Sequence, residues 1–255
     1  MARKERITEV GQYHIINRGV ERRDIFLELD DYEKFFDLMM EMKKKFHIVL
    51  HSFCLMTNHY HILLETFKPN ISEAIKYLNS NYSIYFNKKY RRFGHLWQGR
   101  FHSYYLYDDI HFWIVAKYIE RNPIEAKMVI DIEKYQYQSF FQWKYQFKYY
   151  KLLENSMIFN MTLKEYEEFI SSEMATDILE DIYISPKFIK KDGKLKILYK
   201  RLETFFEEDR DINRNENIKK AYEYGYKKSE IALFLGLSNS AMAKIVKINS
   251  LGSLN

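Results

Sequence analysis

The chain has 255 residues, a formal net charge of +5, 47% hydrophobic and 17% aromatic residues. That is enough apolar material for a sizeable core, in one large domain or in an ordinary domain with a smaller partner. No run is long and apolar enough for a transmembrane helix, and Met1 to Arg6 lacks the apolar stretch of a signal peptide. Cys54 is the only cysteine, which excludes an intrachain disulfide and, within the apolar run Ser52 to Met56, reads as a buried thiol. The expectation is a cytoplasmic protein without membrane contact.

Gly11 to Arg18 reads as a first strand, closed by Gly19. Asp30-Asp31 then caps a helix whose Tyr32, Phe35, Phe36, Leu38, Met39 and Met42 recur at helical spacing. A second strand runs from about His47 to Met56, Thr57-Asn58 makes a tight turn, and His59 to Glu65 returns beside it. Pro69-Asn70-Ile71-Ser72 opens a helix that turns Ile75, Leu78, Tyr82 and Tyr85-Phe86 inward. After a loop bracketed by Gly94 and Gly99, Phe101 to Tyr107 forms a further strand. Asp108-Asp109 caps a helix over Ile110 to Arg121, stopped by Asn122-Pro123. The order β-α-β-β-α-β-α predicts a ferredoxin-like α+β fold: an antiparallel sheet with helices on one face. The last helix then passes over the face that carries His59 and His61.

Past Met128 the pattern changes. Tyr135 to Tyr150 is aromatic and basic, a loop or short strand packed on the first domain. Thr162-Leu163-Lys164-Glu165 is a capping-box signature for a helix over Leu163 to Ser171. The expected organisation is a domain over 1–150, a helical connector over 151–195 and a smaller all-α region over 196–255. Within that region 229–248 resembles a helix-turn-helix: Ala232 lets two helices approach, Gly236 turns the chain, and Ser238 caps a second helix that buries Met242 and Ile245. Lys244 and Lys247 lie near the surface of that helix, as contacts to duplex DNA.

Charge is distributed unevenly. From Ala74 to Tyr107 there is no acidic residue, while Lys76, Lys88, Lys89, Arg91, Arg92 and Arg100 are interleaved with eleven aromatic residues. Cations neutralise phosphates and rings stack on unpaired bases, so the stretch suits single-stranded nucleic acid, with Lys88, Lys89, Arg91, Arg92 and Arg100 as contacts.

His59-Tyr60-His61 carries the chemistry. Side chains alternate along a strand, so both imidazoles share one face while Tyr60, Ile62 and Leu64 share the other. Two imidazoles make half of a divalent-metal site, and a third anchor is needed. Tyr118 and Asn122 are four apart and share a helix face, offering a phenol and an amide carbonyl. That set suits a covalent nucleophile attacking a phosphodiester whose oxygen a metal polarises.

These residues resemble the single-tyrosine transposases of the HUH superfamily, closest to the REP-associated tyrosine transposases. The matching pieces are Asn17-Arg18-Gly19, Asp24-Ile25-Phe26, Asp31-Tyr32, Met56 to His61, Gly94 to Phe101 and Tyr118 to Ala126, spread over residues 11 to about 129. The resemblance implies Tyr118 as nucleophile, His59, His61 and Asn122 as ligands, and Mg²⁺ or Mn²⁺ as the metal. It further implies cleavage of single-stranded DNA next to a hairpin, leaving a 5′-phosphotyrosine and a free 3′-hydroxyl that can rejoin strands. A second reading is a domesticated, inactive relative that holds hairpin DNA in a regulatory role. The resemblance leaves open a monomer or a homodimer.

Overall fold

A computed structural model describes residues 7–106, 108–172, 187–191, 194–198, 202–206, 213–238 and 242. They fall into two compact units, Met1–Ser185 and Pro186–Asn255.

The first unit is built on four strands, β1 (Gly11–Arg18), β2 (Ile48–Leu55), β3 (His59–Thr66) and β4 (His102–Tyr105), in the order β2-β3-β1-β4 and antiparallel throughout. This is the expected ferredoxin-like sheet. Helices α1 (Leu29–Phe46) and α2 (Ile71–Lys89) cover one face. Helix α1 starts at a reciprocal capping box between Glu28 and Asp31 and ends where His47 turns left-handed, at φ 54°. Its Phe35, Phe36, Met39 and Met42 join Ile75, Leu78, Tyr82 and Phe86 of α2 over Tyr13, Ile15, Tyr60, Ile62 and Leu64 of the sheet. All of these are buried, so period two on the strands meets period 3.6 on the helices in one core.

Helix α3 (Asp109–Glu125) crosses the opposite face, packing Phe112, Val115, Ala116 and Ile119 against Cys54, Met56 and Leu63. Asp108 caps it, its carboxylate accepting from His111 N–H at 2.7 Å. The helix does not stop at Asn122-Pro123 but runs through Pro123 to Glu125. One lost N–H in the last turn is a small deficit, and Ala126 N–H still reaches Asn122 O at 2.9 Å.

Two later stretches differ from expectation. Tyr135 to Tyr150 does pack on the first domain, with Tyr137 stacked on Tyr32 of α1 at 3.5 Å, but it contains helix α4 (Ser139–Lys144) and no strand. The span expected as a helical connector is divided. Leu152, Leu153, Ile158 and, from helix α5 (Leu163–Ser171), Tyr166 and Ile170 belong to the main core. Helix α5 begins at the expected Thr162/Glu165 capping box.

The second unit holds a two-stranded antiparallel hairpin, β5 (Lys187–Lys191) and β6 (Lys194–Leu198), and helices α6 (Arg214–Tyr224) and α7 (Lys228–Phe234). It is therefore a small, mainly helical region and not wholly α. Ile218, Ala221, Ile231, Ala232 and Met242 form its core. Gly236, at φ 65°, turns the chain after α7, and Met242 N–H donates to Ser238 O at 3.0 Å, where the second helix of the helix-turn-helix is expected. Lys244, Ile245 and Lys247 lie outside the described residues. Among the described residues, no helix is long and apolar enough to cross a membrane.

Candidate active site

Strands β1 and β3 pair so that Arg18 faces His59 and Ile16 faces His61. His14, two residues along β1 from Ile16, lies diagonally across from His61 on the same face. Its Nε2 stands 3.0 Å from His61 Nδ1, and both rings are buried. His59 is half-buried, with its ring centroid 5.0 Å from that of His61.

The surroundings fix the protonation of these rings. Burial first, and then the Arg18 charge, pushes His59 down to about 4. Burial, His14, His59 and Arg18 hold His61 well below the ordinary histidine range, and burial with His111 nearby pushes His14 down to about 3. All three are neutral near pH 7, the state in which an imidazole can give a lone pair to a metal. The tautomer of His59 follows from its hydrogen bonds. Asn58 Nδ2 donates to Arg22 O at 3.0 Å, which leaves Asn58 Oδ1 to accept from His59 Nδ1–H at 2.6 Å. The lone pair of His59 therefore sits on Nε2. In His61 the contact with His14 occupies Nδ1, and Nε2 has a lone pair to offer when His61 Nδ1–H is the donor to His14 Nε2.

Helix α3 brings Tyr118 to this pair. The phenol ring lies 5.5 Å from His61 and 6.0 Å from His14 between centroids, edge-on to both. On its far side α3 is held by Glu120, a fully buried carboxylate that accepts from Ser52 Oγ at 3.1 Å, Phe140 N at 3.1 Å, Tyr166 Oη at 3.2 Å and Ser139 Oγ. Burial pushes this carboxyl up to about 7 although the four donors pull against it. The residues flanking Tyr118 on α3 also grip the end of α5. Lys117 Nζ donates to Ser172 Oγ, and Arg121 Nη1 donates to the carbonyls of Ile170, Ser171 and Ser172 at 3.4, 3.1 and 3.2 Å. Cations at a helix C-terminus answer its orphan carbonyls and its dipole.

Asn122 is nearly buried and donates through Nδ2 to Tyr118 O at 2.8 Å. Glu65, on the same strand face as the histidines, sits 3.4 Å from His51 at the other end of β3 and is used there. Among the described residues no group of three or more His, Cys, Asp or Glu is arranged to hold a metal. By donor chemistry alone, two neutral imidazoles and one amide oxygen are ligands that a divalent ion accepts, the rest of its shell coming from water or phosphate.

The basic residues are not equivalent. Lys88, Arg91 and Arg100 are exposed, Arg91 with a left-handed backbone at φ 49°. Arg92 lies over the Phe86 ring at 5.6 Å. Lys89 is committed inside the fold, 2.8 Å from the buried Asp31 and 2.6 Å from Glu28. Its charge answers a carboxylate that no sequence spacing connects to it. His14 is the other residue that sequence reasoning passed over. The available signal was an imidazole in the middle of the apolar strand Tyr13-His14-Ile15-Ile16, where a buried polar ring needs a partner.

Residues 8–122 match the family model of IS200-like transposases, a span that contains His59 and His61 and ends on Asn122. The matched span is somewhat less than half of the chain, and the similarity is confined to it. Among solved structures, the chain is similar to a REP-associated tyrosine transposase bound to a REP hairpin. That likeness has 15% identity and a TM-score of 0.49, covering 56% of this chain and 84% of the other. A transposase candidate from Deinococcus radiodurans R1 gives 17% identity and a TM-score of 0.34, covering 48% and 97%. No curated protein matches the chain.

Proposed function

We propose that the first unit cleaves and rejoins single-stranded DNA beside hairpins, with Tyr118 as the nucleophile. The observation that carries this reading is the placement of the Tyr118 ring edge-on against His61 and His14, on the strand face that also bears His59. The Tyr118 phenol oxygen attacks phosphorus, the bond from phosphorus to the 3′-oxygen breaks, and the phenol's proton is balanced by one taken up on the released 3′-hydroxyl. The phosphodiester is exchanged for a 5′-phosphotyrosine, so no nucleoside triphosphate is needed and the free 3′-hydroxyl can reverse the step. His59 Nε2, His61 Nε2 and Asn122 Oδ1 would hold the Mg²⁺ or Mn²⁺, which when bound supplies positive charge to the scissile phosphate. His14 keeps His61 turned with Nε2 outward, and Glu120 fixes the height of α3 over the sheet. Exposed Lys88, Arg91 and Arg100 supply phosphate contacts.

The test is a hairpin oligonucleotide with a single-stranded flank, incubated with the protein and Mn²⁺ and resolved under denaturing conditions. A covalent adduct mapping to Tyr118 and absent from Tyr118→Phe is expected, with hairpin binding retained. Tyr104 is the sharpest competitor, because its ring lies 5.9 Å from His14. An adduct on Tyr104, or one that persists in Tyr118→Phe, overturns the assignment.

A further inference from the structure

Strand β1 puts a third kind of side chain on the histidine face. Arg18 is four residues from His14, so both leave the strand on the same side, and it stands directly opposite His59 in the register with β3. Opposed pairs have Cβ atoms about 4.5–5.5 Å apart. The backbone under Arg18 is fixed on both sides. Its N–H donates to Asn17 Oδ1 at 3.0 Å and its carbonyl accepts from Gln98 N–H at 2.9 Å, while Gly19 N–H donates to Asn58 O at 2.9 Å. A Cβ at Gly19 would come within 2.4 Å of Arg23 O, so only glycine lets the chain pass there.

The charge carried on this rigid stalk is unmatched. Arg23 pairs with Glu21, Arg121 with Glu125, and Lys89 with Asp31 and Glu28, but among the described residues no carboxylate stands within ion-pair distance of Arg18. Arg18 is nevertheless half-buried, and its charge reaches both His59 and His61, where it disfavours a second positive charge. The same repulsion acts against a divalent ion on those imidazoles. A cation kept there costs metal affinity unless an anion joins the two. A phosphodiester is an anion of the right class. A planar guanidinium donates in parallel to two oxygens of one phosphate, and charge that builds on those oxygens during attack strengthens the pairing.

We propose that Arg18 is a catalytic residue that grips the scissile phosphate, its guanidinium donating to the non-bridging oxygens while Tyr118 attacks phosphorus. This rests on the strand-cleavage reading and adds to it a group that holds the transition state more tightly than the bound DNA. A second consequence follows from the charge. Protein without DNA holds a divalent ion less tightly than its imidazoles alone would, so metal and phosphate favour each other's binding.

Arg18→Gln tests both effects because it moves them in opposite directions. In full-length protein without DNA, Mn²⁺ followed by electron paramagnetic resonance should bind this variant about three- to tenfold more tightly than wild type, the size of one removed charge. With saturating Mn²⁺ and a hairpin carrying a single-stranded flank, the single-turnover rate of Tyr118 adduct formation should fall about a hundredfold, with hairpin affinity little changed. Arg18→Lys keeps the charge without the fork, so it should show wild-type Mn²⁺ affinity and an intermediate rate. A residue that only braces the strand would not raise metal affinity when removed. An unchanged adduct rate in Arg18→Gln, or Mn²⁺ affinity that falls with the charge, overturns the assignment. Dimethyl phosphate makes the test independent of cleavage. Protein-bound Mn²⁺ should broaden its phosphorus resonance in wild type and not in Arg18→Gln. Such broadening without any adduct would sink the cleavage reading and leave the phosphate site standing; an adduct with no dependence on Arg18 would do the reverse.

Discussion

The two faces of the central sheet are made by alternate residues of the same strands, yet they are built for opposite ends. Under α1 and α2 lie Tyr60, Ile62 and Leu64, buried in a continuous apolar core. Under α3, His61 is equally buried but sits in a chain of imidazoles with His14 and His59, touched by Tyr118. The first face supplies hydrophobic stabilisation, roughly 1.5–3 kcal/mol for each large side chain fully buried. The second accepts a desolvation cost on each ring, visible in the depressed proton affinities of all three histidines. A protein selected for stability alone would have apolar side chains there. What the cost provides is a set of neutral, oriented nitrogens on a rigid strand.

Neighbouring residues allow that contrast to be broken cleanly. The largest effect is expected at His61. His61→Ala should abolish Mn²⁺ binding, read by electron paramagnetic resonance, and adduct formation with it, while the protein stays folded. Retained Mn²⁺ affinity in that variant would show that the imidazole face is structural only. One residue away, Ile62→Ala should cost about 2–5 kcal/mol in denaturant unfolding because of the cavity it leaves, and the folded fraction should still bind Mn²⁺.

Glu120→Gln should come next, at about 1–3 kcal/mol near neutral pH, since an amide cannot accept all the bonds that four donors offer. The carboxyl is raised from 4.5 to about 7 in the folded state, so its contribution is present below 4.5 and is lost as pH rises through about 7. The melting temperature of the wild type should therefore fall between pH 5 and 8 relative to that of Glu120→Gln; parallel curves would mean that the carboxyl titrates normally. The smallest effects belong to the surface. Arg91→Gln should reduce the salt dependence of single-strand binding by about 0.7 in slope, whereas Lys89→Gln should leave the slope unchanged, because its charge is already met by Asp31 and Glu28. Equal slopes for both variants would remove that distinction.

Much of this architecture was legible in the sequence because it is local. Alternation bounded by Gly and turn residues marks Gly11–Arg18 and His59–Thr66, and the Thr162/Glu165 spacing marks the start of α5. The meeting of Tyr118 with the histidine face also follows from local pattern combined with the order of elements. What escaped is long-range. Lys89 reads as a free cation until the end of α2 is laid beside the start of α1, where Asp31 waits. His14 reads as an isolated ring until β1 is registered against β3. The core role of 152–170 was hidden because Leu152, Leu153, Ile158 and Tyr166 are spaced irregularly across short turns, and their common target is a sheet about a hundred residues earlier.

The grip of Lys117 and Arg121 on the end of α5 has a mechanical reading. Lys117 donates to Ser172 Oγ, and Arg121 donates to the carbonyls of Ile170, Ser171 and Ser172, so the α3 residues on either side of Tyr118 share one anchor. Unwinding the last turn of α5 would slacken the helix segment that carries the phenol.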